Sequence, residues 1–583
     1  MNRFRSLLAA GLIVSACSRT PSFGVSPESA IPSRITPRFA PSWRFPAGQP
    51  PITAARAMIA SDDRVASEAG LEILRKGGNA VDAAVAVGFA LAVTYQEAGN
   101  LGGGGFMLVR LANGTTAAID YREMAPLAAT RDMYLDASGK LTDRSLDGHL
   151  ASGVPGSVAG MSEVLKKYGT MQLSDVLQPA IRLADEGFTV EAGFNRSVRG
   201  DSARIARFGG TAFLPDGAPP AVGSRFRQPD LARTLRLIAE KGPDAFYRGE
   251  IGDSLVAEMK RGGGIITKED LANYQPRWRD PIRSSYRGYT LFTMPPASSG
   301  GIVITETLNI LETYPALPPF GSAAYAHILG SAYQRAFIDR NAKIADPAFV
   351  KVPLAQLTSK TYAKTLRATI DARRATPTLT LEQKMGTRAE GTETTHYSVV
   401  DGMGNSVATT TTTNGLYGSG VLVRGAGFFM NNEMDDLSAQ PGTANQFGLV
   451  QGEANAVAPG KRPLSAMSPT IVLDPAGGLL LVLGARGGPR IITATSQVIL
   501  NVIDHRMSIA DAMSAPRIHH QALPDSLMYE RGGLSQPVLD SLIRMGHGPK
   551  VVVSVALANA IMRVKGGFEA VGDPRRPGGV VGY

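Results

Sequence analysis

The stretch TETTHYSVVDGMGNSVATTTTTN, residues 392–414, narrows the choice of fold more than any other part of the chain. Two β-branched, threonine-rich runs flank Asp-Gly-Met-Gly-Asn. Branched side chains suit a pleated ladder, and glycine with asparagine supplies the backbone angles of a tight turn, so the stretch reads as an antiparallel hairpin. With the turn centred on Met403, Thr394 faces Thr412, and Asn414 follows on the same face. Propensity and turn chemistry account for the hairpin, but they leave the crowding of hydroxyls around Thr394 unexplained. Cutting the peptide bond before Thr394 would set a free α-amine beside its own hydroxyl, the pairing that N-terminal threonine nucleophiles use as general base and attacking group.

The rest of the chain supplies a body for such a hairpin. Asp62 to Arg75 has helical periodicity and stops at Gly77-Gly78. Asn79 then caps AVDAAVAVGFALAV, a second helix that is apolar on nearly every side and therefore buried. NLGGGGFMLVRL, TTAAIDY, YTLFTM and GLLLVLGA read as strands; SDVLQPAIRLADEG, QPDLARTLRLIAEKG and GGIVITETLNILETY read as helices. Strands and helices are mixed throughout, which favours a layered α/β or α+β body. At 583 residues, 44% hydrophobic and 19% charged, the chain can bury a large core. Its net charge of +10 is spread over scattered Lys and Arg, without runs or interleaved aromatics, so no nucleic-acid partner is expected. Residues 371–393 are polar and aperiodic and read as an exposed, mobile segment.

The N-terminus, MNRFRSLLAAGLIVSAC, has a basic start and an apolar run too short to span a bilayer, so residues 1–16 read as a secretion signal. The run ends in Val-Ser-Ala-Cys, similar to a bacterial lipobox, and Cys17 is the only cysteine in the chain. An intrachain disulfide is excluded, and acylation of Cys17 is the economical use for it, giving a lipoprotein anchored in a bacterial periplasm. Residues 18–53, rich in proline and serine, read as an extended tether, with the folded body starting near Ala54.

Other candidate chemistry fails on spacing. Gly102 to Gly105 precede a strand rather than opening a helix and lack phosphate-loop spacing. The histidines, including His519-His520, fall in no metal-ligand pattern, and no G-x-S-x-G elbow is present.

TTHYSVVDGMGNSVATTTTTN, NNEMDDLSAQPG, GLVQGEANAVAPGKRPLSAMSPTIV, NLGGGGFM with DYREMAPLAATRDMY, MPPASSGG and the C-terminal DPRRPGGVVGY together resemble the γ-glutamyltranspeptidases of the N-terminal-nucleophile hydrolase superfamily. The resemblance runs in order from about residue 54 to Tyr583. It implies an α+β, four-layer αββα sandwich and a precursor that cuts itself between Glu393 and Thr394. The products would be a large subunit (54–393) and a small subunit (394–583) held as a heterodimer. It implies Thr394 as nucleophile toward γ-glutamyl compounds such as glutathione, with water, amino acids or peptides as acceptors and no metal or organic cofactor. Thr412 would hydrogen-bond the nucleophile and Asn414 hold substrate. The N–H groups of Gly487-Gly488 would form the oxyanion hole, Arg122 and Ser465 would bind the α-carboxylate, and Glu433 and Asp436 would hold the α-ammonium.

Three positions depart from the family pattern. Ala466 stands where a second serine is common, Gly484-Ala485-Arg486 precedes the glycine pair where Gly-Ser-Pro is frequent, and Phe447 replaces a lid tyrosine of some bacterial members. These departures bear on donor preference and on the balance of hydrolysis against transfer. They leave room for a same-family acylase acting on glutaryl β-lactams or poly-γ-glutamate. A non-catalytic surface binding protein is the reading from another class, and retention of Thr394, Thr412, Asn414, Arg122 and the glycine pair argues against it.

Overall fold

A computed structural model describes residues 34–381 and 394–583. The expected signal span 1–16, Cys17 and Glu393 lie outside the described residues.

The threonine-rich hairpin sits at the middle of the molecule. Thr395–Val400 pairs antiparallel with Ser406–Thr412, with Thr395 opposite Thr411 and Val400 opposite Ser406. That is the register expected from a turn centred on Met403. Asp401 fixes the turn by accepting the N–H groups of Met403 and Asn405, both at 2.9 Å, and the Asn405 amide at 2.7 Å. Its second oxygen accepts the Ala80 N–H at 2.8 Å, tying the turn to the start of the buried helix Ala80–Thr94. Asn79 caps that helix through a reciprocal pairing with Asp82, as the sequence indicates.

Two seven-stranded antiparallel sheets carry the fold. The first is ordered Gly579–Gly582, Met58–Ser61, Thr395–Val400, Ser406–Thr412, Gly104–Arg110, Thr116–Asp120, Arg277–Arg279, so the hairpin is central in it. The second runs Ile52–Ala54, Gly567–Gly572, Leu557–Val564, Leu479–Arg486, Thr470–Leu473, Tyr289–Thr293, Ile282–Tyr286. Alternation along each strand sorts side chains between two cores. Tyr397, Val399, Val407, Met107 and Val109 pack with the helices Arg64–Arg75, Ala80–Thr94 and Ser157–Tyr168. Ala408, Phe106, Leu108, Met58 and Ala60 join Leu481, Leu483 and Ala560 of the second sheet in the other core. That core continues into the helices Gly300–Glu312, Ala323–Lys343 and Arg490–Ile503. The layers are helix, sheet, sheet, helix, the four-layer αββα arrangement.

By the same alternation Thr394, His396, Thr410 and Thr412 point toward the second sheet. Gly484 accommodates this, because a Cβ there would fall 2.4 Å from the His396 ring. His396 is fully enclosed, and burial drives its pKa down to about 3, so the ring is neutral and serves as a hydrogen-bond bridge between Thr410 and Ser398.

The structure corrects two expectations. Residues 34–53, the C-terminal part of the expected tether, lie against the body. Trp43 is buried and donates Nε1 to the Ser514 carbonyl at 2.8 Å, Arg34 pairs with Glu569 at 2.8 Å, and Ile52–Ala54 adds an edge strand to the second sheet. Proline and serine content suggested a free linker, but the aromatic contacts of Phe39, Trp43 and Phe45 and an edge strand override that composition. Within the segment expected to be mobile, Thr378–Leu381 forms a helical turn, and Thr378 is buried with its hydroxyl on the Ala522 carbonyl at 2.9 Å.

Trp43→Ala is therefore expected to lower the unfolding free energy by about 3 kcal/mol, the usual scale for truncating a buried large aromatic. Urea denaturation measures it; a loss below about 0.5 kcal/mol, the scale of ordinary surface changes, would mean that the strap adds nothing to the body.

Candidate active site

Thr394 stands immediately before the central strand, buried, with its Oγ1 3.4 Å from Oγ1 of Thr412. That separation is longer than a usual hydroxyl pair and still within reach. Thr412 Oγ1 also accepts the Asn414 N–H at 2.8 Å. Asn414 leaves the strand with φ 75° and donates its side-chain amide to the Asn432 carbonyl at 3.0 Å. The Thr412 carbonyl accepts Asn100 Nδ2 at 2.8 Å. A Cβ at Gly103 would fall 2.2 Å from that carbonyl, so the glycine run excluded as a phosphate cradle acts as a close-packing surface beneath Thr412.

A small cleft brings together Thr394, Thr412, Asn414, Arg122, Asp436, Ser465 and Gly488, with Phe447 and Ala466 also on its walls. Two expected residues, Glu433 and Gly487, stand behind this surface. Glu433 is fully buried with its Oε1 2.5 Å from Arg122 Nη1, while Arg122 Nη2 meets Asp436 Oδ2 at 2.6 Å. Glu123 completes the cluster, 3.6 Å from the same Nη1. Three buried carboxylates thus surround one guanidinium. Burial pushes the two glutamates up, Glu433 well above the usual carboxylate range and Glu123 to about 7, against the attraction of Arg122. Burial also opposes the charge on Arg122, but the carboxylates outweigh it and hold the guanidinium above its ordinary value.

Gly487 and Gly488 lie between the strand Leu479–Arg486 and the helix Arg490–Ile503, at φ 129° and 57°. Backbone N–H groups at the start of a fourteen-residue helix favour negative charge, which suits them to an oxyanion. The preceding Arg486 reaches toward Asp62, Nε to Oδ2 3.6 Å, and the same Oδ2 accepts the Thr395 hydroxyl at 2.9 Å. One carboxylate thereby couples the glycine loop to the strand that carries Thr394.

Segment 440–457, the expected lid, is tied down by its own polar groups. Asp435 accepts the Gln446 N–H at 2.8 Å, Asp436 accepts the Asn445 amide at 3.0 Å, and Phe447 is buried against Gly488. Sequence reading overlooked Asn100, Asp62 and Arg340, which reach the site from three other segments. Only Asn100 had a local signal, its place before the glycine run.

The glycine loop is testable without any substrate. A Cβ on Gly488 would lie 2.7 Å from Phe447 Cδ1, and its φ is left-handed. Gly488→Ala is expected to cost about 2 kcal/mol of stability, part strain and part overlap. Combined with Phe447→Ala, the overlap part should vanish, leaving about 1 kcal/mol of strain in a double-mutant cycle of urea midpoints. Simple additivity of the two changes would show that the ring does not limit the loop.

Comparison with known proteins agrees with this geometry. The family model for gamma-glutamyltranspeptidase matches residues 66–583. The chain is 47% identical over 533 residues to a glutathione hydrolase proenzyme of Escherichia coli (strain K12), covering 90% of this chain and 91% of that protein. It is 46% identical over 554 residues to a glutathione hydrolase proenzyme of Pseudomonas sp. (strain A14), covering 92% and 96%. Among solved structures, cephalosporin acylase from Bacillus halodurans superposes with a TM-score of 0.80 at 29% identity, covering 93% of this chain and 98% of that one. Sequence match and αββα fold agree: the chain belongs to the γ-glutamyltranspeptidase family, enzymes of the N-terminal-nucleophile hydrolase class.

Proposed function

We propose that this protein is a self-processing glutathione hydrolase and γ-glutamyltransferase whose nucleophile is Thr394. The observation that carries the reading is the position of Thr394: first residue of the central hairpin, hydroxyl facing Thr412, in one cleft with Arg122, Asp436, Ser465 and Gly488. The close likeness to glutathione hydrolase proenzymes supports the same conclusion.

Cleavage between Glu393 and Thr394 frees the α-amine, and an uncut amide nitrogen could not act as a base. The amine takes the proton from Thr394 Oγ1 as the oxygen attacks the γ-carbonyl carbon of the donor. Thr412 steadies the hydroxyl. The carbonyl oxygen becomes an oxyanion facing the N–H groups of Gly487 and Gly488. The α-ammonium then returns its proton to the leaving amine as the C–N bond breaks, which leaves an ester on Thr394. Water or an amino acid's amine attacks that ester and regenerates the threonine. The donor's α-carboxylate lies toward Arg122 and Ser465, and its α-ammonium toward Asp436 and Asn414. Glu433 acts from behind, holding Arg122 rather than facing the ammonium. The large subunit ends at residue 393 and the small one begins at 394; the continuous sheet through Met58–Ser61 and Thr395–Val400 holds them together as a heterodimer.

Purified protein should show two chains, the smaller beginning at Thr394, and Thr394→Ala should stay as one inactive chain. Full activity in an uncut chain would sink the mechanism. For the processed enzyme, kcat/KM for γ-glutamyl-p-nitroanilide should rise with pH to a plateau with an apparent pKa of about 8, the value of an α-amine that must be neutral to act as base. Arg122→Lys keeps the charge but loses the fork that spans Glu433 and Asp436. A rise in KM equivalent to about 2–4 kcal/mol is expected, and unchanged KM with normal self-cleavage would remove Arg122 from the donor site.

Ala466 and the Gly484-Ala485-Arg486 sequence favour a second reading, a same-family acylase for glutaryl donors, consistent with the likeness to a cephalosporin acylase. Comparing glutaryl- with γ-glutamyl-p-nitroanilide decides between the two.

For localisation the proposal is secretion to a bacterial periplasm with acylation at Cys17, supported by the short apolar run and the single cysteine. Cys17→Ser should move the protein from the membrane to the soluble fraction at unaltered specific activity. Wild-type protein already soluble, with a mature N-terminus other than residue 17, would overturn the anchor.

A further inference from the structure

The cleft contains a second arginine that none of the family motifs singles out. Arg340, near the C-terminal end of the long helix Ala323–Lys343, is 0% exposed and lines the same cleft as Thr394, Arg122 and Ser465. Its Nε donates to Ser299 Oγ at 3.0 Å and its Nη1 to Asn341 Oδ1 at 2.9 Å. Nη2 is buried without a hydrogen-bond partner, and no carboxylate lies within 4.0 Å of the guanidinium among the described residues. A buried cation with an unused donor is costly, because desolvation is repaid only by an opposing charge. Burial accordingly pulls its pKa down to about 10, against the field of Asp436.

Arg122 and Arg340 differ in how the protein meets their charge. Arg122 already has Glu433 and Asp436 at ion-pair distance and Glu123 nearby, so its charge is met by the protein itself. Of the two arginines on the cleft wall, Arg340 is the one with no carboxylate of the described residues at ion-pair distance, so a ligand that already meets Arg122 gains a second charged contact by reaching it. It is also joined to the expected carboxylate site through Ser299, whose Oγ donates to the Ser465 carbonyl at 2.7 Å. Ala466, beside Ser465 on the cleft wall, brings no hydroxyl of its own.

We propose that Arg340 is a donor-binding residue: its Nη2 takes one oxygen of the substrate's terminal carboxylate, supplying a charged contact where the side chain at 466 supplies none. This rests on the γ-glutamyl reading of the cleft and deepens it with a statement about specificity. Donor recognition is governed by the carboxylate more than by the α-ammonium, because Asp436, the one acid on the cleft wall that the ammonium can meet, is shared with Arg122. Donors with a carboxylate and no ammonium, glutaryl amides, are better substrates than donors with the reverse, 4-aminobutanoyl amides.

Three p-nitroanilides test it: γ-glutamyl, glutaryl and 4-aminobutanoyl. In the processed wild-type enzyme, kcat/KM for the glutaryl donor should exceed that for the 4-aminobutanoyl donor. In Arg340→Gln the ratio of the two should fall about 30-fold, the scale of a lost hydrogen bond to a charged group, with the change carried by KM. Adding Ala466→Ser to Arg340→Gln should restore part of the γ-glutamyl activity. Because both donors are read on one preparation, a merely structural loss of active protein leaves the ratio where it was, and an unmoved ratio overturns the proposal. If Arg340→Gln does not fold or process, a crystal structure of the unsubstituted processed enzyme with L-glutamate decides: Nη2 at hydrogen-bond distance from the carboxylate supports the assignment, and a separation above about 4.5 Å removes it. If no anilide is cleaved by the wild-type enzyme, the γ-glutamyl reading fails instead. Calorimetric binding of glutarate, and its loss in Arg340→Gln, then still judges the arginine.

Discussion

The register of the central hairpin is the constraint on which the rest of the site depends. Strand side chains alternate with period two, so a slip of one residue would turn Thr394 from the gap between the sheets onto the helix-covered face and bring Thr395 in its place. The protein pins the register at both ends. At the turn, Asp401 satisfies three groups of the loop and one helix N–H; at the open end, Asp62 holds the hydroxyl of Thr395 at 2.9 Å and Asn100 holds the carbonyl of Thr412 at 2.8 Å. These contacts on the neighbouring residues set the position of Thr394 at the mouth of the hairpin.

Charge is the second constraint, and it works in the opposite sense. An arginine with several acids buried around it does not add much to stability, since desolvation consumes most of the Coulombic gain. What such a cluster provides is a fixed polar surface that does not rearrange when a zwitterion arrives. The guanidinium fork of Arg122 bridges Glu433 and Asp436, and Asp436 in turn orients the lid through Asn445. Arg122 and segment 440–457 thus share one carboxylate, so a change at Asp436 disturbs the contacts of both.

The sequence carried the periodic and the local parts of this design. Strands, the buried helix with its Asn79 cap, the hairpin and its register follow from alternation, capping and turn residues that lie next to one another in the chain. The motifs that resemble the family named seven residues that the fold does bring to one cleft. What was not legible is long-range pairing. Arg340 lies on a helix whose residues are buried on almost every side, so periodicity gives no hint that one of its charges faces a cleft. Asp62 reads as a residue near a helix start, and its link to Arg486 spans two sheets. Glu433 reads as a substrate ligand because it is next to Asp436 in a motif, whereas the short helical turn Glu433–Asp436 sends the two side chains to different depths. Composition misled at residues 34–53, where proline and serine outvoted the aromatics Phe39, Trp43 and Phe45 that help to fix the segment.

Sequence departures gather where the second sheet meets the first, and the geometry explains why they are tolerated. The strand Leu479–Arg486 must pass over His396, which only glycine at 484 allows. Beyond that point the chain has latitude. Arg486 can stand where proline is common because Asp62 and Glu97 lie 3.6 and 3.7 Å from its guanidinium, and Tyr95 offers its ring face at 5.6 Å. The constraint on conformation that a proline would impose by its ring is here imposed by charge and stacking. The two devices hold a loop in different ways: a proline limits it through its own ring, whereas the guanidinium limits it through its neighbours Asp62 and Glu97. The glycine loop Gly487-Gly488 is therefore linked, through Arg486 and Asp62, to the strand Thr395–Val400.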